Sequence, residues 1–325
     1  MRLISCTIAL AVAAATSVGA SAQGWVPQKN VEIVAGSSPG GSNDKTARLL
    51  ERLLSQEKLV PTSMTVINKA GGGGSIAYTY VAQHAKDPHY IGVTGGGLFS
   101  NQILGVSTLS MADFTPIANL VNDYAVFAVN AESSLKTGKD LADRLRKDPR
   151  SLNLGFANAF GSTRHIAAGM LIKALGGNPR ELRPVVFKGS ALAITALLGN
   201  HLEYVVVGAT NTTPHIASGR MRVVAVAAPK RLGGPLSNVP TWREQGVDMV
   251  SGTWRGIFGP KGLTAAQVAY WENALLKITK TAEWRSDVEK NYWTEDFRTG
   301  AELKKMLDEE YRDTKAILSD LGLVK

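Results

Sequence analysis

The sequence is short of reactive side chains. Its 325 residues hold one cysteine, Cys6. The five histidines, His84, His89, His165, His201 and His215, have no metal-ligand spacing, so neither a metal centre nor any other cofactor is expected. The acidic residues form no close pair at strand ends of the kind glycosidases use. No lysine follows a glycine run as in a Walker motif. The net charge is +9, with the basic residues scattered. There is no arginine-rich arm and no aromatic platform, so a nucleic-acid partner is not expected. A mildly positive field suits anionic ligands, or simply solubility. Beyond the N-terminus no apolar run approaches membrane-spanning length.

What is present begins with an export signal. Arg2 supplies the positive n-region, Leu3 to Val18 is apolar, and Ala20-Ser21-Ala22 fits the cleavage pattern. Residues 1–22 are therefore expected to be removed, leaving a periplasmic or secreted chain of about 300 residues, enough for two domains. Cys6 lies inside the signal rather than at the cleavage site, which argues against a lipid anchor. The mature chain then lacks disulfides, thiol chemistry and cysteine metal sites.

The stretch Val31–Asp44 reads as a buried strand, a glycine turn and a helix start. Met64–Ile67 runs into Asn68–Ser75 and a helix. Tyr90–Thr94 ends in Gly95-Gly96-Gly97. Three times a strand ends in glycines and a helix begins, the pattern of a parallel sheet with right-handed crossovers. Ligands in such sheets bind at the carboxyl ends of the strands, where the three turns gather. A glycine turn at a helix N-terminus exposes N–H groups and the positive end of the helix dipole to an anion.

Phe114–Val129 reads as extended segments broken at Asn122-Asp123. A second α/β series follows, with strands at Leu152–Ala157, Val185–Phe187, Tyr204–Val207 and Val223–Ala227. Its turns are Asn158–Thr163, ahead of a helix at His165–Leu175, and Lys188-Gly189-Ser190. Trp254–Gly259 is a further strand, and helices at Ala265–Thr281 and Ala301–Leu321 close the chain. The repeated grammar predicts two similar α/β domains facing each other across a cleft.

Two enzymatic motifs meet physical objections, and the first stands as a less favoured alternative. Gly36-Ser37-Ser38-Pro39-Gly40 matches the G-x-S-x-G nucleophile elbow, which would make the chain a secreted serine hydrolase using Ser38. The residue after the nucleophile must donate an N–H to the oxyanion hole, and Pro39 has none. Gly72-x-Gly74-x-x-Ala77 resembles a dinucleotide fingerprint, but Thr94 and Gly95 stand where an acidic residue is needed. His165, in a first helical turn beside a glycine turn, either approaches the cleft or caps structurally.

Taken together, nearly all of the mature chain resembles the Bug-type periplasmic receptors of tripartite tricarboxylate transporters. Ser38-Pro39-Gly40-Gly41-Ser42-Asn43-Asp44 is similar to that family's P-P-G-G-x-x-D loop, and Asn68–Gly74 to its N-x-x-G-A-G-G loop. Asp113–Ala118 matches D-F-x-P-I-A. Gly161-Ser162-Thr163-x-His165 matches the second-domain turn, and Lys188-Gly189-Ser190-Ala191 matches Y-K-G-S-A. Pro214-His215-Ile216, Asn238–Thr241 and Ser251–Trp254 follow in order.

The resemblance implies an α/β, type II periplasmic-binding-protein fold. Domain 1 would take 23–124 plus 248–325, domain 2 would take 125–247, and two crossings would form the hinge. It implies a non-catalytic, monomeric receptor that closes on a small di-, tri- or aromatic carboxylate and delivers it to membrane transport subunits. A receptor feeding a signalling system is the alternative. The implied first-domain grip is Ser38, Gly40, Gly41, Ser42, Asn43, Asp44, Gly73, Gly74, Ser75, Gly95 and Gly96. From the second domain come Phe160, Gly161, Ser162, Thr163, Arg164, His165, Lys188, Gly189 and Gly208.

Some positions depart from the family pattern. Ser38 and Ser42 replace a proline and a glycine, adding hydroxyls. Val207-Gly208 stands where many relatives carry Asp-Thr. Arg164 takes a usually small or neutral position, and Arg255 one that is often Tyr. An arginine facing the cleft would give a second ligand carboxylate a charge-assisted partner.

Overall fold

In the computed structural model, residues 24–324 are described, and the expected export signal lies outside them. The first parallel unit comprises β1 (Val31–Ala35), α1 (Ser42–Gln56), β2 (Met64–Asn68), α2 (Ser75–Ala82), β3 (Tyr90–Thr94) and α3 (Gly97–Ile103). Strand β4 (Phe114–Asn130) leads through α4 (Gly138–Lys147) into β5 (Asn153–Ala157), α5 (Thr163–Ala174), β6 (Arg183–Phe187), α6 (Ser190–Leu198), β7 (Tyr204–Gly208), α7 (Thr213–Ala217) and β8 (Met221–Val226). The chain closes with β9 (Gly252–Pro260), α8 (Ala265–Ile278), α9 (Ala282–Lys290), β10 (Thr294–Arg298) and α10 (Gly300–Asp320). Among the described residues no helix is long and apolar enough to cross a membrane.

The strand order is β2-β1-β3-β9-β4-β7-β5-β6, with β8 and β10 also on β4. Strand β1 pairs in parallel with β2 and β3, as the glycine-turn pattern requires. Strand β5 pairs in parallel with β6 and β7. All the predicted glycine turns of each half therefore open on one edge of a parallel sheet.

Strand β4 joins the halves. It is 17 residues long, more than the usual single-sheet strand of roughly 3–10 residues, because it serves two sheets. Its first part, to Tyr124, pairs with β9 and β10. From Ala125 it pairs with β7 and β8. The expected break at Asn122-Asp123 is absent. The ladder with β9 runs through both residues, and the irregularities fall earlier, at Pro116/Ala118 and Asn119/Val121. Asn and Asp usually mark turns because their side chains bond nearby backbone. Here those side chains bond distant partners instead.

The return path runs beside the first. Ala125 N–H donates to the Ser251 carbonyl at 3.0 Å, and Ser251 N–H to Ala227 O at 2.9 Å. Each lobe has its own core. Ile33, Leu50, Leu53, Trp271 and Trp284 are fully buried in one, and Phe127, Phe156, Leu171, Tyr204 and Trp242 in the other. Burying each such side chain contributes roughly 1.5–3 kcal/mol. Helix α10 links both lobes. Leu303 and Leu307 pack with Phe99 and Trp254, while Ile317 and Leu318 enter the second core. Its 21 residues span roughly 30 Å, long enough for both.

Candidate functional site

The first glycine turn is organised by Asp44 rather than presenting it. Gly40 N–H donates to Asp44 Oδ2 at 2.8 Å, Asn68 Nδ2 to Oδ1 at 2.9 Å, and Arg48 Nε to Oδ1 at 3.0 Å. Burial opposes ionisation of this carboxyl, but the Gly40, Asn68 and Arg48 donors prevail and hold it below the usual carboxylate range. Asp44 N–H donates to Ser37 Oγ, and Gly41 N–H to Ser38 O. Helix α1 carries no side-chain cap, and among the described residues the Ser42 and Asn43 N–H groups have no protein acceptor. Three amides thus build the turn, and these two stay available.

The second turn needs its glycines. Gly71, Gly72, Gly73 and Gly74 all have positive φ, from 54° to 126°, which costs L-residues with a Cβ. Asn101 Nδ2 fixes the turn by donating to Gly72 O and Gly73 O at 2.9 and 3.2 Å. A Cβ on Gly36 would stand 3.2 Å from Gly74 Cα and 3.6 Å from Asn43 Nδ2, so the first two turns touch. The third turn joins them, since a Cβ on Gly97 would stand 3.0 Å from Gly73 O.

In the second lobe, Gly161 takes φ 75° and donates its N–H to His165 Nδ1 at 3.0 Å. Nδ1 is therefore the acceptor nitrogen. His165 stacks on Phe156 at 4.8 Å, and burial pushes its pKa down to about 4. It is a neutral ring that shapes the Gly161 turn. Ser162 Oγ donates to Ala157 O instead of capping α5. The Thr163 and Arg164 N–H groups consequently have no protein acceptor among the described residues. This helix start meets the first lobe directly, because a Cβ on Gly96 would stand 3.1 Å from Thr163 Cγ2.

Between the two helix starts lies a buried ionic cluster. Asp123, at the lobe crossing of β4, accepts at Oδ2 from Arg164 Nη2 at 3.0 Å and from Arg255 Nη2 at 2.5 Å. Arg255 Nη1 reaches Asn43 Oδ1 at 3.3 Å, and its guanidinium lies 5.5 Å from the Trp293 ring centroid. Burial and the Arg164 charge lower the Arg255 pKa, with Asp123 opposing them. Gly208 makes room, since a Cβ there would stand 3.1 Å from Arg164 Nη2 and 3.2 Å from Asp123 Oδ2.

The residues implied from sequence therefore divide. Asn43 meets Arg255, Gly208 lies against Arg164 and Asp123, Gly96 against Thr163, Gly95 against the Trp254 carbonyl and Gly74 against Gly36, with Ser42 at the same helix start as Asn43. Gly73 and Ser75 belong to the adjoining turn. Gly40, Gly41 and Asp44 are engaged in loop architecture, Ser38 is exposed at its tip, and Gly161, Ser162 and His165 shape the opposing turn. Phe160 is half exposed, with its ring edge-on to His165. Lys188 is exposed and Gly189 half-buried in the turn after β6, where Asn158 N–H donates to the neighbouring Phe187 O. Asp123, Asn68 and Asn101 were missed. Their signal was a polar residue in or beside an apolar strand or helix.

A separate groove of about 960 Å³ lies on the outer face of α1, lined by Lys45, Arg48, Arg52 and Asp287 among others. Its arginines are already paired, Arg48 with Asp44 and Arg52 with Asp287. It is an open surface feature that borders the outer side of the first turn at Pro39, Gly40 and Asp44.

The sequence matches a family described as "Tripartite tricarboxylate transporter family receptor" over residues 47–323. Protein BugT of Bordetella pertussis is 25% identical over 243 residues, 73% of this chain and 72% of that protein. The structure of the periplasmic binding protein BugD superposes with a TM-score of 0.77 at 25% identity, over 92% of this chain and 99% of that one. A structure described as R. palustris Rpa4515 with adipate gives a TM-score of 0.80 at 23% identity, over 92% and 99%.

Proposed function

This chain belongs to the tripartite tricarboxylate transporter receptor family, and from that premise we propose that it is a periplasmic, non-catalytic receptor which closes on a small organic carboxylate. The observation that carries this reading is the pairing of two helix starts from opposite lobes. Among the described residues, Ser42 and Asn43 of α1 and Thr163 and Arg164 of α5 have N–H groups without protein acceptors, and the two lobes approach each other there through Gly96 and Thr163. Each helix terminus favours an anion by about 0.3–1 kcal/mol, and by more when partly buried. Closure excludes water and strengthens each contact.

The proposed domains are 23–124 plus 248–325 and 125–247, hinged where β4 and the segment ahead of β9 cross side by side. Residues 1–22 are proposed to direct export, with cleavage after Ala22. The proposed partners are the membrane subunits of a tripartite transporter. A receptor rather than a Ser38 hydrolase is favoured because Pro39 lacks the N–H an oxyanion hole requires. The test is a thermal-shift screen of the mature protein against organic acids. A ligand that binds only the folded state raises Tm, and no shift across a broad panel would sink the proposal.

A further inference from the structure

We infer that Arg164 and Arg255, held together by Asp123, form a subsite that selects an acid carrying a second anionic group over the same acid with that group neutralised. This rests on the receptor reading above and names the ligand class it takes. The first observation is charge. Two guanidinium groups share one carboxylate oxygen, and among the described residues Asp123 is the ion-pair partner of both. Their side chains are only 10% and 5% exposed. A buried cation without a counter-charge is costly. A cluster that served packing alone would gain from a second carboxylate or from apolar replacements.

The second observation is an unused donor. Arg255 Nε is buried with no hydrogen-bond partner among the described residues, and so is one acceptor of the same cluster, Asp123 Oδ1. A guanidinium offers more N–H donors than these contacts use, in a fork that matches a carboxylate. The third is position. Arg255 reaches Asn43 at the start of α1, while Arg164 belongs to the first turn of α5. The cations therefore lie between the two sets of available N–H groups. One anionic group meets backbone donors and the other meets the arginines. Gly208 is the complement, because a side chain there would press on both Arg164 and Asp123.

The competing role is a lock that joins the lobes through Asp123 whatever the ligand, and the test separates the two. Calorimetric titration of the mature protein uses succinate, malate, adipate and phthalate, with other straight-chain, hydroxy and aromatic diacids, each beside its monoamide. The wild type is expected to prefer its best diacid over the monoamide by at least about tenfold, the yield of one charge-assisted bond. Arg164→Gln and Arg255→Gln are each expected to weaken the diacid about tenfold to a hundredfold and to leave the monoamide nearly unchanged. Should either variant fail to fold, the wild-type ratio still decides. Equal binding of diacid and monoamide by the wild type overturns the subsite and leaves the receptor reading standing. So does an equal loss of both ligands in the variants, which is the signature of a lock. Binding of no acid at all removes the receptor reading and the inference together.

Discussion

Replacing Gly96 with alanine tests lobe closure with a single methyl group. Gly96 sits at φ −56°, ψ −14°, a helical conformation that alanine adopts freely. The backbone therefore accepts the change, and the smaller entropy of the unfolded chain favours folding by about 0.4–1 kcal/mol. The obstacle lies across the cleft, where the new methyl would stand 3.1 Å from Thr163 Cγ2. Carbon atoms prefer roughly 3.5–4.0 Å, so the shortfall is about half an ångström. Overpacking of this kind costs about 1–3 kcal/mol. On the proposed closure, the cost falls only on the closed form, because opening would separate the two atoms. Apparent affinity for a bound acid is therefore expected to drop between about fivefold and a hundredfold, while the ligand-free Tm holds or rises. Thr163→Ser removes the offending methyl and keeps the hydroxyl and the N–H group. The Gly96→Ala/Thr163→Ser pair should recover most of the loss, a coupling that a double-mutant cycle measures. Calorimetry with the best acid from the screen reads the affinity, and melting without ligand reads stability. Wild-type affinity in Gly96→Ala, or failure of Thr163→Ser to rescue it, would refute the claim that these turns meet around the ligand.

Three further outcomes follow from the same geometry. His165 is held neutral in the fold with a pKa of about 4 against an ordinary 6.5, so the unfolded chain binds the extra proton between these values. The stability is fully present above pH 6.5 and is lost as pH falls toward 4, approaching roughly 3 kcal/mol. His165→Gln should flatten that part of the Tm–pH curve, and parallel curves for the two proteins would contradict it. Asp44→Asn should destabilise by about 1–3 kcal/mol in urea at neutral pH. The gap should shrink as acid protonates the wild-type carboxylate, whose pKa is held low, and a pH-independent gap would argue against its role as loop anchor. Gly208→Ala keeps an ordinary backbone at φ −76° but crowds Arg164 and Asp123. It should weaken diacid binding several-fold in calorimetry with little change in Tm, and an unchanged affinity would remove Gly208 from the site.

The parts legible in sequence are those fixed by neighbours along the chain. Val31–Ala35 and Tyr90–Thr94 are strands at the residues where the apolar runs lie, and the glycines at 71–74 mark positive φ angles that few other residues adopt. On the last helix, Leu303, Leu307, Thr314, Ile317 and Leu318 share one side by their spacing, and all five are buried. What was not legible depends on distant partners. Asn122 and Asp123 read as a break because both residues favour turns. In the fold Asn122 bonds Asp296, 174 residues away, and Asp123 bonds Arg255, 132 residues away. The short helix α9 and strand β10 escaped notice because their sequences are largely polar, and only Trp284 and Val288 of α9 are buried. The structural bonds of Asp44 are likewise hidden from its place in the loop. Its donors, Asn68 and Arg48, come from the next strand and the next helical turn.

The central claim is that an acid binds between the two helix starts, and a crystal structure of the mature protein with the best acid from the screen tests it most directly. The account predicts a carboxylate within hydrogen-bond reach of the Ser42 and Asn43 N–H groups or of those of Thr163 and Arg164, with the lobes closed over it. An acid seated instead in the outer groove beside Lys45 and Arg52, with the cleft empty, would contradict it.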